Sequence, residues 1–223
     1  MPSDIYDVLS YPKRERNNEL IREFNELGLT LLPQGQKRVF GIPILGKGWS
    51  SLVMYGKYHG REVAVKIQRR DSNRISLSRE AIFLRLANAH RIGPTLLFEG
   101  TSFLILEYIT GNVIHEASVK KEHILSFFRQ CHLLDNMGID HGQIQGGKHL
   151  IIGRKCWIID FEKAGWRIPR NVNSLGSEVF LKKTRFAQSM RALFRVDRTT
   201  LISAFNEYKK DFNMDRILET LHV

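Results

Sequence analysis

The feature that most constrains the fold is a glycine-rich turn between two strand-like segments. Residues 45–53 read LGKGWSSLV, with Gly46 and Gly48 in the turn and a valine where the next strand-like segment begins. Glycine lets a backbone approach phosphates closely and present its amide groups without an obstructing side chain. A dinucleotide-binding turn opens a helix, whereas a strand follows here, which disfavours that kind of turn. A plain hairpin turn remains the simplest structural interpretation.

Hydrophobic patterning predicts a change from strands to helices along the chain. In the first half, apolar segments punctuated by glycine predict three strands, a helix and two strands at 41–45, 52–58, 62–68, 76–88, 95–99 and 103–108. The second half is predicted to be mainly helical, with helices near 119–136, 175–193 and 199–212 and a short strand pair at 149–152 and 156–159. The dipeptide His59-Gly60 predicts a tight hairpin turn. Residues 1–40 are interpreted as a polar, partly helical extension with a helix over Asn18–Leu27.

A lysine at a strand end and a glutamate on the next predicted helix follow the glycine turn, and this order indicates a phosphate-binding cleft. The strand segment Val63-Ala64-Val65-Lys66 ends on the lysine, and Glu80 lies on the next predicted helix. A lysine flanked by alternating apolar residues points into a cleft, where it can meet phosphate as a point charge. Such a lysine needs a carboxylate to hold it in place, and Glu80 is the candidate.

The order of these motifs resembles that of protein kinases, specifically the small atypical branch that includes the RIO kinases. The sequence is also similar to the small kinase of the complex that modifies tRNA adenosine with threonylcarbamoyl. It resembles in particular a group of predicted archaeal serine/threonine kinases, through KIQRRDSNR at 66–74 and IIDFEKA at 158–164. The resemblance covers roughly residues 41–200.

This resemblance implies an α+β fold of two lobes with ATP and Mg²⁺ between them. The implied N-lobe, residues 41–108, is an antiparallel β-sheet with one helix, and the implied C-lobe, residues 109–223, is small and mainly helical. By the same resemblance, Gly46 and Gly48 would shape the phosphate-covering loop. Lys66 would contact the α- and β-phosphates and pair with Glu80.

Two further positions take their expected roles from the resemblance. Glu107-Tyr108 follows the apolar strand FLIL and matches the hinge whose backbone binds adenine. Asp160 matches the metal-binding aspartate of the D-F-G motif, with Glu162 in place of the glycine. A carboxylate suits Mg²⁺, which is a hard cation that prefers oxygen ligands and bridges nucleotide phosphates.

The catalytic loop departs from the H-G-D-L-x-x-x-N pattern of these small families. Gln143 stands where the aspartate that accepts the substrate proton is expected, and Lys148 stands where the second metal-binding asparagine is expected. Three interpretations stay open. In the first, the chain is a kinase in which Asp140 serves as the base and Lys148 replaces some charge of the second metal. In the second, it is an ATPase in which Gln143 orients water. In the third, it is a pseudokinase that uses ATP as a switch. His141 and His149 are weaker base candidates, because loop histidines are more often structural.

The expected function is therefore an ATP-dependent serine/threonine protein kinase that transfers the γ-phosphate to a protein hydroxyl. The segment after Asp160 is short and no A-P-E motif follows, which disfavours a general peptide kinase. The acceptor is instead expected to be a fixed protein partner or the chain itself, through Ser174, Ser177 or Thr184. A small-molecule phosphotransferase of the same fold is a further alternative.

Charge extends the range of expected partners. Lysine and arginine total 34 against 23 acidic residues, a formal net charge of +11, which favours a polyanion such as RNA or a ribosomal partner. A basic binding module on a kinase scaffold is therefore the rival class. The sequence has neither an apolar run long enough to span a bilayer nor the pattern of a secretory signal, so we expect a cytoplasmic protein without a membrane partner. Cys131 and Cys156 lack metal-site spacing and are expected to be buried, inert thiols.

Overall fold

The computed structural model describes residues 4–73 and 76–222. Arg74 of the 66–74 motif, the first three residues of the predicted extension and Val223 lie outside the described residues. The chain divides into two compact units, Met1–Arg85 with Pro94–Ile109 and Leu86–Gly93 with Thr110–Val223. Both contain helices and antiparallel strands, so the α+β class is confirmed.

The first unit is built on an antiparallel sheet. The order along the sheet is β1-β5-β6-β8-β7, with β4 beside β5, while β2 and β3 form a separate hairpin. Its strands are β1 (Leu29–Leu32), β2 (Lys37–Val39), β3 (Ile42–Ile44), β4 (Gly46–Lys47), β5 (Ser51–Tyr58), β6 (Arg61–Gln68), β7 (Leu96–Glu99) and β8 (Phe103–Glu107). The predicted turn joins β5 to β6, and both of its residues have positive φ, 46° at His59 and 76° at Gly60.

Strand alternation decides which side chains of β6 enter the core. Val63, Val65 and Ile67 are buried in the main hydrophobic cluster, together with residues of β1, β5 and β8. Because successive side chains of a strand point to opposite faces, Lys66 lies on the other face of the sheet. Helix α2 (Ser78–Ala89) follows β6, and the position of Glu80 in its first turn is important for the site described below.

The described residues of the predicted extension, 4–40, pack against the rest of the first unit. Helix α1 (Asn18–Glu26) is capped by the Asn17 side chain, and Phe24 packs edge-to-face on Phe103 of β8 at 4.8 Å between ring centroids. Strand β1 then pairs with β5 along its length. The described part of this segment therefore belongs to the first unit, because its alternating apolar residues complete the core of that unit.

The second unit is mainly helical, as predicted. Its helices are α3 (Lys121–Asn136), α4 (Asn171–Gly176), α5 (Arg185–Phe194), α6 (Arg198–Asp211) and α7 (Asp215–Thr220). A π-helical turn, Ser177–Leu181, continues α4. Its short strands are β9 (Gly111–Val113), β10 (Ile139–Asp140), β11 (Leu150–Gly153), β12 (Cys156–Ile158) and β13 (Gly165–Trp166). The strands pair antiparallel in the order β12-β11-β9 and as β10-β13.

The core of the second unit lies along α3. One face of α3 is fully buried, and the ring of Phe128 stacks between Phe180 and Phe205 at centroid distances of 6.1 and 6.0 Å. Cys131 and Cys156 are free and buried, which confirms the structural part of that prediction. Burial raises the pKa of both thiols. Within residues 4–73 and 76–222, no helix combines the length and the apolarity needed to cross a bilayer.

Candidate functional site

The Lys66–Glu80 contact predicted from the sequence is present, and it is almost completely buried. Lys66 Nζ donates to Glu80 Oε1 at 2.7 Å, and the two side chains are 6% and 2% exposed. Lys66 lies opposite Val53 of β5 and Leu104 of β8, so it occupies the middle of the sheet. Burying two charges carries a large desolvation penalty, which the attraction between them often does not repay. An apolar pair of similar volume would stabilise this face as well or better, so fold stability alone does not account for the ion pair.

The glycine turn is a tight hairpin between β4 and β5. Gly48 N donates to Ser51 O at 2.8 Å and closes the turn, while Gly46 pairs with Val53. Neither glycine has a positive φ. A Cβ atom would lie 3.6 Å from Val53 at Gly46 and 3.5 Å from the Ser51 carbonyl oxygen at Gly48, which are ordinary contacts. The backbone of this turn therefore accommodates alanine at both positions.

Arginine 69 holds the glycine turn from the neighbouring strand end. Arg69 Nη1 donates to Gly48 O at 2.8 Å, and its backbone N–H donates to Ser50 O at 2.8 Å. Asp71 fixes the guanidinium with bonds of 2.8 and 2.6 Å, which raise the pKa of Arg69. The Tyr11 ring receives the cations of both Lys47 and Arg69, at 4.5 and 4.8 Å from its centroid. The sequence analysis did not predict this anchoring, because it assigned no contact to Tyr11 or Arg69.

The two residues predicted as a hinge lie at the end of β8. Glu107 accepts hydrogen bonds from Thr95 N and Thr95 Oγ1 at 3.1 and 3.0 Å, so its carboxylate braces the start of the neighbouring strand. Tyr108 packs edge-to-face on Tyr55 at 5.0 Å and accepts a hydrogen bond from Gln34 at 3.1 Å. These side chains are thus engaged within the first unit.

In the second unit, Asp160 follows β12 in a left-handed backbone conformation. Its φ and ψ are 66° and 73°, a region where aspartate is among the few non-glycine residues commonly found. The side chain is 30% exposed, and Oδ2 lies 3.3 Å from His149 Nε2. The carboxylate is therefore held at a fixed place and still reaches solvent.

His149 connects Asp160 to the predicted catalytic loop, and His141 packs beside it against the residues that flank Asp160. His149 Nδ1 lies 3.1 Å from the carbonyl oxygen of Gln143, so the ring bridges the loop and the Asp160 carboxylate. Since both of its partners are acceptors, the ring donates one hydrogen bond when neutral and two when protonated. His141 is fully buried, contacts Ile159 O through Nε2 at 3.1 Å and packs on Phe161. Both histidines are thus engaged in structural contacts.

Three loop residues differ in how they are held. Arg167 donates to Asp140 Oδ2 from both Nε and Nη2 at 2.9 Å, while Oδ1 accepts no hydrogen bond from any described residue. Gln143 Oε1 is buried and has no hydrogen-bond donor in the part of the chain that the structure describes. Lys148 is exposed. The loop thus presents one carboxylate oxygen and one amide oxygen that can still accept a hydrogen bond.

A buried network fixes the start of the loop. Asp135 accepts bonds from Asn171 N, Asn171 Nδ2, Val172 N and Tyr208 Oη at 2.9, 2.7, 3.1 and 2.9 Å. Burial raises the pKa of Asp135, although these bonds act in the opposite direction. Asn171 also accepts from His141 N at 2.9 Å, so α4 sets the loop backbone.

A second buried carboxylate fixes the other part of the loop. Glu178 is 3% exposed and accepts bonds from Gly146 N at 2.7 Å, from His115 Nε2 at 3.0 Å and from Lys182 Nζ. Burial raises the pKa of Glu178, but the bonds from Lys182 and Gly146 outweigh it and the net pKa is lowered. Sequence reasoning missed both carboxylates. The burial of Asp135 could have been predicted from the sequence, because Asp135 continues the apolar face of α3 formed by Phe128, Cys131 and Leu134.

The residues present are chemically suited to Mg²⁺ with a nucleotide. Among the described residues, no group of three or more His, Cys, Asp or Glu side chains is placed to hold a metal. Mg²⁺ is commonly held by one or two carboxylates together with substrate phosphates and water, so the solvent-accessible Asp160 carboxylate fits as its protein ligand. Lys66 and the bare backbone at Gly46 and Gly48 fit phosphates. These two sets of residues belong to different units.

Comparison with known proteins assigns neither a family nor a function. No protein-family model matches this chain. Over 66 residues it is 39% identical to an uncharacterized protein, MJ1211, of Methanocaldococcus jannaschii, and this similarity covers 26% of the present chain. The chain matches 57% of the length of that relative, which carries no assigned activity.

Proposed function

We propose that this chain is an ATP-dependent serine/threonine protein kinase of the atypical, RIO-like kind. It transfers the γ-phosphate of ATP to a protein hydroxyl, on a partner or on itself. The observation that carries the proposal is the buried Lys66–Glu80 ion pair, 2.7 Å long and fixed in the middle of an antiparallel sheet. A fixed lysine with this support is suited to binding phosphate.

The glycine turn supports the same proposal. Because ordinary φ values and space for a Cβ make alanine acceptable at Gly46 and Gly48, the backbone geometry does not explain the glycines. A phosphate group resting on the N–H groups of the turn would explain them, since any side chain would hold the ligand away. Arg69 and Asp71 would keep the turn in place.

Asp160 supports a metal-dependent reaction. Mg²⁺ bound there would neutralise charge on the nucleotide phosphates. His149 holds the Asp160 carboxylate and contacts the backbone of Gln143, so the metal ligand and the loop would be positioned by one side chain. Under this proposal the first unit corresponds to a kinase N-lobe and the second, mainly helical unit to a small C-lobe.

Asp140 is the base that fits the proposed transfer. Arg167 occupies its Oδ2, which leaves Oδ1 to accept the proton of a substrate hydroxyl. Gln143 is a neutral amide that can orient a hydroxyl but cannot take its proton. Phosphoryl transfer depends mainly on positioning and charge stabilisation, so a displaced base is compatible with turnover.

One observation favours an ATPase, or a nucleotide switch in an RNA- or ribosome-associated complex, as a second candidate. Gln143 Oε1 is buried without a donor among the described residues, and buried polar atoms normally have a partner. After a small rotation of the amide, a water molecule would supply the missing donor and be oriented by Gln143, which is the role that glutamine has in GTPases. The net charge of +11 is compatible with such a complex.

Incubation with γ-labelled ATP and Mg²⁺ tests the proposal and separates the candidates. Wild type, Asp160→Asn, Asp140→Asn and Gln143→Ala are compared by following labelled protein and free phosphate. Asn is chosen at position 160 because it also tolerates the left-handed backbone. A kinase gives labelled protein that depends on Asp160 and Asp140, whereas an ATPase gives free phosphate that depends on Asp160 and Gln143. If ATP binds but neither product forms, the kinase proposal is wrong and the switch takes its place.

A further inference from the structure

A solvent-open cavity of about 460 Å³ lies within the second unit, and Asp160 is not among the residues that line it. Three segments line it: the loop after β10 at Gln145, residues 168–177, and the C-terminal end of α6. Its volume falls in the range typical of small-molecule sites, about 300–1,000 Å³. The lining includes Ser174 and Ser177, two of the candidate acceptors, but none of the residues proposed above to bind ATP or Mg²⁺.

The two charged residues that line the cavity are both positive. Arg170 and Lys209 line it, and no aspartate or glutamate does. Both are exposed, and neither forms an ion pair with a carboxylate of residues 4–73 or 76–222. Lys209 Nζ donates a hydrogen bond to the amide oxygen of Asn206 at 3.1 Å. Two such cations favour an anionic ligand.

Neutral polar groups and apolar surface complete the lining. Ser174 and Ser177 supply hydroxyls, and the Asn173 amide is oriented by its bond to Phe205 O at 2.9 Å. Ile168 is 80% exposed, and it borders the cavity together with the ring of Phe212. An apolar side chain this exposed at the rim of a polar cavity is suited to cover an apolar part of a ligand.

We infer that this cavity binds a small anion that carries an apolar group beside a phosphate. The phosphate contacts Arg170, Lys209 and the serine hydroxyls, and the apolar group packs on Ile168 and Phe212. Binding needs no ATP turnover, so the inference does not depend on the proposed function.

Calorimetric titration with phenyl phosphate in the absence of ATP tests the inference. The variant Arg170→Gln/Lys209→Gln removes both cations, and Lys210→Gln is the matched control, because Lys210 is an exposed neighbour outside the cavity lining. We expect saturable binding to wild type and to the Lys210 variant, and affinity reduced at least about tenfold in the double variant. Ile168→Ser should weaken phenyl phosphate but leave inorganic phosphate unchanged.

Each opposite result overturns the inference. The inference is wrong if phenyl phosphate does not bind wild type saturably. It is also wrong if the double variant and the Lys210 control lose the same affinity, because that would indicate non-specific attraction to a basic surface. Phenyl phosphate binding that survives in the double variant would place the ligand elsewhere. Benzylamine binding as tightly as phenyl phosphate would exclude charge recognition. Because the substituted side chains are exposed, unfolding of the variants is not expected, and circular dichroism checks it.

Discussion

Replacing one partner of the Lys66–Glu80 pair should lower the stability of the fold far more than replacing both. Lys66→Met leaves the Glu80 carboxylate, 2% exposed, without its lysine. Loss of one partner from a buried ion pair costs about 3–5 kcal/mol, whereas apolar replacement of both is neutral or stabilising by about 1–4 kcal/mol. For a chain of this length, 1 kcal/mol corresponds to about 2–4 °C in Tm, so each single variant should lose roughly 6–20 °C.

The assay is thermal and urea unfolding of four proteins: wild type, Lys66→Met, Glu80→Leu and the double variant. Lys57→Met, on the exposed surface of β5, is the control and should change stability by less than about 0.5 kcal/mol. We expect the double variant to unfold at or above the wild-type temperature and to have lost ATP binding. Stability would then be separated from ligand binding at the same two positions.

Three outcomes would each refute part of this reasoning. If both single variants were as stable as wild type, the pair would not be buried in the way the structure describes. If the double variant lost the sum of the two single losses, the two side chains would not be energetically coupled. A double variant that still bound ATP with wild-type affinity would show that the pair has no part in nucleotide binding.

Three further predictions concern other parts of the chain. Gly48→Ala should leave Tm unchanged and weaken ATP binding. Gly60→Ala places alanine at a φ of 76°, so it should lower stability by about 1–2 kcal/mol without changing the affinity for ATP. Thermal unfolding and ATP titration of both variants measure these effects. The pKa of Glu178 is lowered in the folded protein, so its contribution to stability should be complete above the ordinary glutamate pKa of about 4.3 and should vanish as pH falls through the folded pKa. The difference in urea midpoint between wild type and Glu178→Gln should therefore disappear in acid. A difference that stays constant with pH would contradict this. Cys131 and Cys156 should resist alkylation by iodoacetamide at neutral pH until the protein is unfolded, because both thiols are buried and have raised pKa values. Rapid alkylation of the native protein, detected by mass spectrometry, would disprove their burial.

Local patterning was sufficient to predict the elements with strong periodicity. The β5–β6 hairpin followed from alternation on both sides of His59-Gly60, and α3 followed from its apolar face. The contact between Lys66 and Glu80 could be predicted because both occupy defined elements that are adjacent in the chain. Even so, α2 does not bury all of its apolar side chains, since Ile82 is 51% exposed.

Long-range contacts were beyond sequence reasoning. Strand β1 is four residues long, and its place in the sheet depends on pairing with β5, more than twenty residues later. The contact of Arg167 with Asp140 spans 27 positions, and that of Glu178 with Gly146 spans 32. Such partners are chosen by the packing of whole elements and leave no spacing signal in the chain. For the same reason, the cavity at Arg170 and Lys209 could not be anticipated.

Equilibrium titration of ATP with and without Mg²⁺, for wild type and Asp160→Asn, tests the central claim most directly. The account predicts that wild type binds ATP, that Mg²⁺ strengthens this binding, and that Asp160→Asn abolishes the strengthening while the protein stays folded. Failure of wild type to bind ATP at millimolar concentration, or the same Mg²⁺ effect in both proteins, would contradict it.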